Sequence, residues 1–169
     1  MKADPRIASM NDVVLAQDAY SAKLQVSNDK FNAALDQIED AELILVGLKA
    51  EWKDKKDKGV DTLNKAHKAI TEKVKGLREM MFGKKQEKQG YGTVPVITPI
   101  SIIRAANMLI NAKNTMPGAQ EDRAIENAAT AADNVVIKVN AFFAKDWADF
   151  RKLVEANPVK KFKDIETIK

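Results

Sequence analysis

The feature that most constrains this chain is an uninterrupted seam of residues whose spacing alternates between four and three. Its members are Val13, Gln17, Tyr20, Leu24, Ser27, Phe31, Ala34, Ile38, Ala41, Leu45, Leu48 and Trp52. A seam of this period and length is typical of a long α-helix packed along another helix. With Ser9 as a candidate N-cap, the pattern predicts a helix over residues 10–52, about 65 Å long at about 1.5 Å per residue.

A second seam follows after a charged turn that ends at Gly59. It consists of Val60, Leu63, His67, Ile70, Val74, Leu77 and Met81, with Gly83 placed as a C-terminal cap. This pattern predicts a helix over residues 60–82 that forms an antiparallel coiled-coil hairpin with the first. Matching the seams outward from the turn places Leu45 near His67. Because the second helix is shorter, the N-terminal half of the first needs other partners.

Two further helices are predicted, over residues 99–114 and 117–156. Thr98 followed by Pro99 is a good N-cap and first-turn pair for the third helix. In the fourth helix the apolar stripe shifts after Phe142, to Phe143, Trp147, Phe150 and Val154.

The segments outside these helices are predicted to be irregular. Residues 83–98 are predicted to form an irregular linker. Residues 1–8 read as an extended lead-in, because Pro5 disfavours helical geometry at the residue before it. The predicted fold is an all-α, up-and-down bundle of four helices, forming one domain over residues 9–169.

Charge and composition narrow the functional classes. The chain has 169 residues and a net charge of +4, and its lysines alternate with acidic residues almost everywhere. Nucleic-acid binding favours a stripe of one sign, so a mixed solvated surface is the better interpretation. The alternative is binding of nucleic acid or anionic membrane through residues 49–58, 84–88 and 160–163. No apolar run is long enough to cross a membrane, and the chain has no cysteine.

Residues that could carry chemistry are few. His67 is the only histidine and occupies a seam position, which favours a core residue over a catalytic base or metal ligand. Residues 54–59 place lysines where a calcium loop needs oxygen ligands. They are better explained as a charged hairpin tip. We therefore expect no catalytic, cofactor or metal site, and predict that this chain is not an enzyme.

Two groups of residues are candidates for an interaction surface. Arg104, Asn107 and Asn111 fall on one face of the third helix, where they could bind a partner or hydrogen-bond to the linker; the structural role is favoured. Trp147 and Phe150 lie at helical spacing in the fourth helix and are expected to be core or interface anchors.

Three segments carry a family resemblance. They are residues 3–7 (ADPRI), residues 94–106 with their VP and PISIIRAA stretches, and residues 139–151 (VNAFFAKDWADFR). Together they resemble the C-terminal helical region of bacterial sortilin-like, BNR-repeat proteins, often labelled glycosyl hydrolases. In that family a β-propeller precedes the helical region, and nothing propeller-like is present in this chain. The resemblance implies an exported protein whose glycosidase or ligand-binding activity lies outside these residues.

Two functions follow as expectations. The first is a non-catalytic accessory domain that docks on its own upstream propeller or on a protein partner. It predicts a junction near residues 3–7 and an exposed apolar face near Trp147 and Phe150. The alternative is a free-standing helical-hairpin binding or chaperone-like protein of the cell envelope. It predicts self-association through the seam of the first two helices and a projecting hairpin tip.

Overall fold

The chain folds into an elongated helical bundle. The structure is a computed structural model, and it describes residues 5–53, 58–84, 96–112 and 115–158. The helices are α1 (Pro5–Trp52), α2 (Lys58–Phe82), α3 (Pro99–Asn111), α4 (Ala119–Phe142), a π-helical turn (Phe143–Trp147) and α5 (Ala148–Ala156). The predicted all-α bundle with a long first helix is therefore confirmed.

The seam of α1 forms one side of the core along most of the helix. Leu24, Ser27, Phe31, Ala34, Ile38, Ala41, Leu45 and Trp52 are buried, and the remaining seam residues are half-buried. The seam of α2 is likewise buried apart from the half-buried Leu77. Each predicted stripe thus faces the interior. Burial of each large apolar side chain contributes about 1.5–3 kcal/mol before conformational entropy is subtracted.

The α1–α2 pair is an antiparallel hairpin in the predicted register. The Nε2 atom of His67 lies 2.8 Å from the carbonyl oxygen of Leu45. Towards the other end of α2, the Arg78 guanidinium contacts Glu42 at 2.8 Å and Glu39 at 3.3 Å. The prediction that Leu45 lies near His67 is confirmed.

The N-terminal half of α1 is completed by α4, which runs parallel to it. Tyr20 donates a hydrogen bond from its hydroxyl to Asp122 at 2.7 Å, and Lys30 pairs with Asp133 at 2.6 Å. The two pairs advance along both helices in the same direction and by similar steps. The π-helical turn and α5 continue in the same direction. Together with α4 they form one nearly continuous helix that lies alongside α1.

α2 and α3 lie end to end. Together they form the third column of helix in the bundle, beside α1 and the column made of α4 and α5. Gly83 ends α2 with φ of +87°, and a Cβ atom there would lie 3.2 Å from Cγ2 of Thr98, the N-cap of α3. The Thr98 hydroxyl accepts from the backbone of Ser101, and the Ser101 hydroxyl accepts from the backbone of Thr98. Pro99 follows at the first helical position, as predicted. Both α2 and α3 pack on α1 and α4.

Several helix boundaries differ from the predicted ones. α1 begins at Pro5, so residues 5–8 are helical and not extended. Proline suits the first helical position because its φ is already helical and its missing N–H would have no intrahelical acceptor there. α3 ends at Asn111 and α4 begins at Ala119, two to three residues inside the predicted limits. Residues 1–4, the hairpin tip at 54–57, linker residues 85–95 and the segment 159–169 lie outside the described residues.

Within the described ranges, no helix combines the length and the hydropathy that crossing a bilayer requires.

Candidate interaction surface

The π-helical turn sets the position of Trp147. Along α4 the buried residues Val135, Val139 and Phe142 follow at helical spacing, whereas Trp147 lies five residues after Phe142 and Asp146 occupies the position four residues after it. A π turn accommodates one extra residue because its hydrogen bonds span five residues and not four. Trp147 therefore continues the apolar stripe. Asp146 faces α2, where its carboxylate accepts from Lys73 Nζ at 2.7 Å.

Around this turn four aromatic rings form a continuous cluster. The centroid of Trp147 lies 6.2 Å from Phe142, 5.7 Å from Phe143 and 5.8 Å from Phe150, in edge or tilted geometries. Phe142 and Phe150 are buried, whereas Phe143 and Trp147 are half-buried. The Trp147 ring thus packs against three aromatic neighbours while part of it faces solvent.

Trp147 lines a groove between α1 and α5. This Trp147 groove has a volume of about 370 Å³ and is lined by Ile44, Leu48, Trp147, Phe150, Arg151, Val154 and Glu155. Most of the lining is apolar. At the rim, the Arg151 guanidinium donates to Glu155 at 2.7 Å. The groove can therefore accept an apolar side chain at its centre and a polar group at its edge.

A second exposed apolar region lies beside the groove on α1. Leu43 is 71% exposed, Ile44 51% and Val46 70%. Gly47 and Ala50, on the next turn, are also exposed. Isolated exposed apolar residues are ordinary on a protein surface. Here three large ones lie within one turn of a helix, and contiguous exposed apolar patches can mark binding surfaces.

The predicted site residues fall into two groups in the structure. Trp147 and Phe150 both line the groove, with Trp147 half-buried and Phe150 buried within the aromatic cluster. Arg104, Asn107 and Asn111 lie on α3, which packs on the other half of α1. Asn111 Nδ2 donates to the Asn107 carbonyl of the same helix at 2.8 Å. The segment 90–98 is the part of the linker to which this face could hydrogen-bond, and its residues 90–95 lie outside the described residues.

The exposed residues of α1 were missed by the seam analysis. Residues 43–46 are Leu-Ile-Leu-Val, although the seam needs only Leu45 among them. Four consecutive apolar residues cannot all face one side of a helix, because successive residues are about 100° apart. The run of four apolar residues could therefore have indicated that some of them are exposed on the surface of α1.

His67 is a core residue, as its seam position predicts. It is buried, and its ring meets Trp52 edge to face at 5.9 Å. Since a carbonyl oxygen can only accept, Nε2 carries the proton and donates to Leu45. Across the part of the chain that the structure describes, no group of three or more histidine or acidic side chains is arranged to hold a metal ion.

Comparison with known proteins identifies no relative. No protein-family model, curated protein or solved structure matches the chain. The resemblance to sortilin-like proteins is carried by the three sequence segments alone.

Proposed function

We propose that this chain is a non-catalytic helical interaction domain that binds a protein partner in the Trp147 groove. The observation that carries the proposal is the half-buried Trp147 itself, which packs against three aromatic neighbours and lines an apolar groove. Tryptophan is one of the residue types enriched among the residues that contribute most to binding.

The groove favours an apolar segment of a partner. Ile44, Leu48 and Val154 provide apolar walls, and burying them would release ordered water. The exposed Arg151–Glu155 pair can exchange its internal contact for hydrogen bonds to the partner backbone. Such rim contacts orient the partner and contribute little affinity.

The resemblance supports one partner in particular, the upstream β-propeller of the same exported protein. The rival proposal is that the chain is a free-standing helical-hairpin binding or chaperone-like protein of the cell envelope, whose partner is a separate protein. Most residues of the α1–α2 seam are buried inside the chain, which leaves little of the seam for the self-association that this rival predicts. Its projecting tip lies outside the described residues.

Photo-crosslinking in the organism of origin tests the proposal. A benzophenone amino acid would replace Val154 in the groove, with the exposed Ile137 of α4 as the matched control position. We expect one defined product from position 154 and none from position 137. An intramolecular product supports the upstream domain, and a product with a second protein supports the rival partner. Identical patterns from both positions would contradict a binding groove.

A further inference from the structure

We propose that the chain has a second binding site, which takes a small organic anion with an apolar body and one hydroxyl donor. The site is a groove between α1 and α2. This His67 groove has a volume of about 380 Å³, and its lining includes Leu45, Val46, Lys49, His67, Thr71 and Lys75. The inference is independent of the Trp147 groove and of the partner proposed for it.

The first evidence is a hydrogen-bond acceptor on His67 that has no well-placed donor. Nε2 donates to the Leu45 carbonyl at 2.8 Å, so Nδ1 of the neutral ring is an acceptor. The Thr71 hydroxyl lies 3.5 Å from Nδ1, at the far limit of a hydrogen bond. That hydroxyl has a single hydrogen, which it donates to the His67 carbonyl at 2.7 Å. A good donor for Nδ1 therefore has to come from outside the described residues.

The burial of His67 makes this acceptor important. The residue is only 8% exposed, and yet it lines the groove. A buried acceptor without a donor is destabilising, and either a water molecule or the hydroxyl of a ligand can supply the missing donor. The volume of the groove falls in the range of roughly 300–1,000 Å³ that is typical of sites for small molecules.

The second evidence is the charge along the groove. Lys49 on α1 and Lys75 on α2 are both exposed at its sides. Among the described residues Lys49 pairs with no carboxylate, and Lys75 has Glu79 at 3.9 Å. Glu42 is the acidic residue of the described lining, and its carboxylate accepts from Arg78 at 2.8 Å. The groove therefore presents two cationic groups to an anion.

The groove continues along the hairpin into a second cavity of about 610 Å³. The two cavities share Val46 and Lys49, and the second is also lined by Ala50, Trp52, Lys53 and Asn64. Val46 and Ala50 supply an apolar surface on which the body of a ligand can lie, while Lys53 adds a third cation.

These features select among the anions that the lysines could attract. A nucleic acid or an anionic membrane would contact the exposed lysines and leave the buried Nδ1 without a donor. Inorganic phosphate has no apolar body to cover Val46. A small organic anion can place its charged group between Lys49 and Lys75 and donate its hydroxyl to His67.

Nitrogen-15 NMR of the purified chain is the principal test, because His67 is the only histidine and its ring signals identify themselves. The probe is para-hydroxyphenylacetate, titrated at mildly alkaline pH, where a free imidazole is neutral. We expect the Nδ1 resonance to move upfield as it accepts the hydrogen bond, with a dissociation constant on the order of 10⁻³ M for so small a ligand.

Two related probes separate the contributions of the hydroxyl and the charge. Phenylacetate lacks the hydroxyl, and we expect it to bind about five-fold more weakly and to leave the Nδ1 resonance in place. Tyramine keeps the hydroxyl and carries an ammonium group instead of the carboxylate, so the lysines should prevent it from binding.

Two pairs of variants locate the site. Lys49→Glu should weaken binding of para-hydroxyphenylacetate about ten-fold, whereas Lys138→Glu, at an exposed position on α4, should leave it unchanged. Val46→Trp should block both cavities without disturbing the core, because Val46 is 70% exposed and lines each of them. Ile137→Trp, at a position on α4 that is 64% exposed, is its control.

Several results would overturn the inference. One is an Nδ1 resonance that no probe moves, which would mean that water alone satisfies the acceptor. Equal binding of the three probes is another, as is equal weakening by Lys49→Glu and Lys138→Glu. Binding to phosphatidylglycerol vesicles without a response to para-hydroxyphenylacetate would identify a membrane surface instead. Val46 and Lys49 do not line the Trp147 groove, so the two proposals can fail separately.

Discussion

The two halves of the bundle are packed differently. Around the N-terminal half of α1, the buried faces of α3 and α4 are rich in alanine, including Ala106, Ala128 and Ala132. Around the C-terminal half, the interior holds Trp52, Phe142 and Phe150. Small side chains let helices approach closely, while large rings keep them apart and leave grooves between their points of contact. The Trp147 groove lies in the aromatic half.

This difference in packing suggests that the two halves of the bundle have different roles. The alanine-rich half is held by close packing and by the polar contacts Tyr20–Asp122 and Lys30–Asp133 between its parallel helices. Both halves expose large apolar side chains, with Met10, Val14, Leu15 and Val26 on the N-terminal half of α1 and Leu43, Ile44 and Val46 on its C-terminal half. The Trp147 groove lies in the aromatic half, and we infer that this is the half that binds the partner.

The largest effect is expected from Trp52→Ala in the aromatic half. Trp52 is 2% exposed and its ring contacts His67. Removing a buried ring of this size leaves a cavity and should lower the free energy of unfolding by about 3–5 kcal/mol. Urea unfolding followed by circular dichroism measures the loss. A change below about 1 kcal/mol would mean that Trp52 is not a core residue.

The same Ala→Leu substitution should destabilise the alanine-rich half and leave the stability of the aromatic half almost unchanged. Ala132→Leu, at a site with 0% exposure between close helices, should destabilise by about 1–3 kcal/mol through overpacking. Ala69→Leu, which points into a groove of about 280 Å³ beside α5, should change stability by less than about 0.5 kcal/mol. Equal losses in the two variants, measured by urea unfolding, would remove the contrast between the halves.

Alkaline pH should weaken the polar contact of the alanine-rich half. The hydrogen bond to Asp122 raises the pKa of Tyr20, and desolvation and the charges of Asp122 and Glu121 act in the same direction. Because the folded state then holds this proton more tightly than the unfolded state, the contribution is complete below about pH 10. It is lost as the pH rises through the folded-state pKa. Unfolding measured against pH should show a steeper loss for wild type than for Tyr20→Phe above pH 10. If the stability of wild type and of Tyr20→Phe fell in parallel as the pH rises, the hydrogen bond between Tyr20 and Asp122 would be contradicted.

The smallest effect is expected from removing the π turn. Deletion of Ala144, an exposed residue within the turn, brings Trp147 to an ordinary helical spacing from Phe142. Helical content and melting temperature should change little, because the apolar stripe stays continuous. Deletion of Lys138 inside α4 is the matched control and should be clearly destabilising, since it rotates the following apolar residues out of the core. Similar melting temperatures for the two deletions would show that the turn does not correct the register.

Much of the fold was predictable because its helices obey strong periodic patterns. The α1 and α2 seams specified both helices, their antiparallel register and the burial of His67. The cap residues Thr98 and Gly83 marked two helix boundaries correctly. The end-to-end placement of α2 and α3 was not predictable, since it depends on which faces of α4 pack against each. The start of α1 was misjudged because Pro5 was interpreted through its effect on Asp4 and not as a first-turn residue.

The candidate site was predictable only in part. The aromatic run around Trp147 marked the correct region, and the shift of the apolar stripe after Phe142 is what the π turn accommodates. Which ring would be accessible depended on three-dimensional packing, and Phe150 proved to be buried. The exposure of Leu43, Ile44 and Val46 was not predicted, because the seam pattern accounts only for their neighbour Leu45.

The most direct test of the central claim is whether the Trp147 groove is covered in its native setting. Arg151→Cys places a thiol at the groove rim, where the native side chain is 72% exposed, and Ile137→Cys places one on α4 outside the groove. Both should react with a maleimide at similar rates in the purified chain. In cells of the organism of origin, at natural expression levels, we expect the thiol at position 151 to be protected and the thiol at position 137 to react. Equal reaction at both positions in cells would contradict the claim that this groove binds a partner.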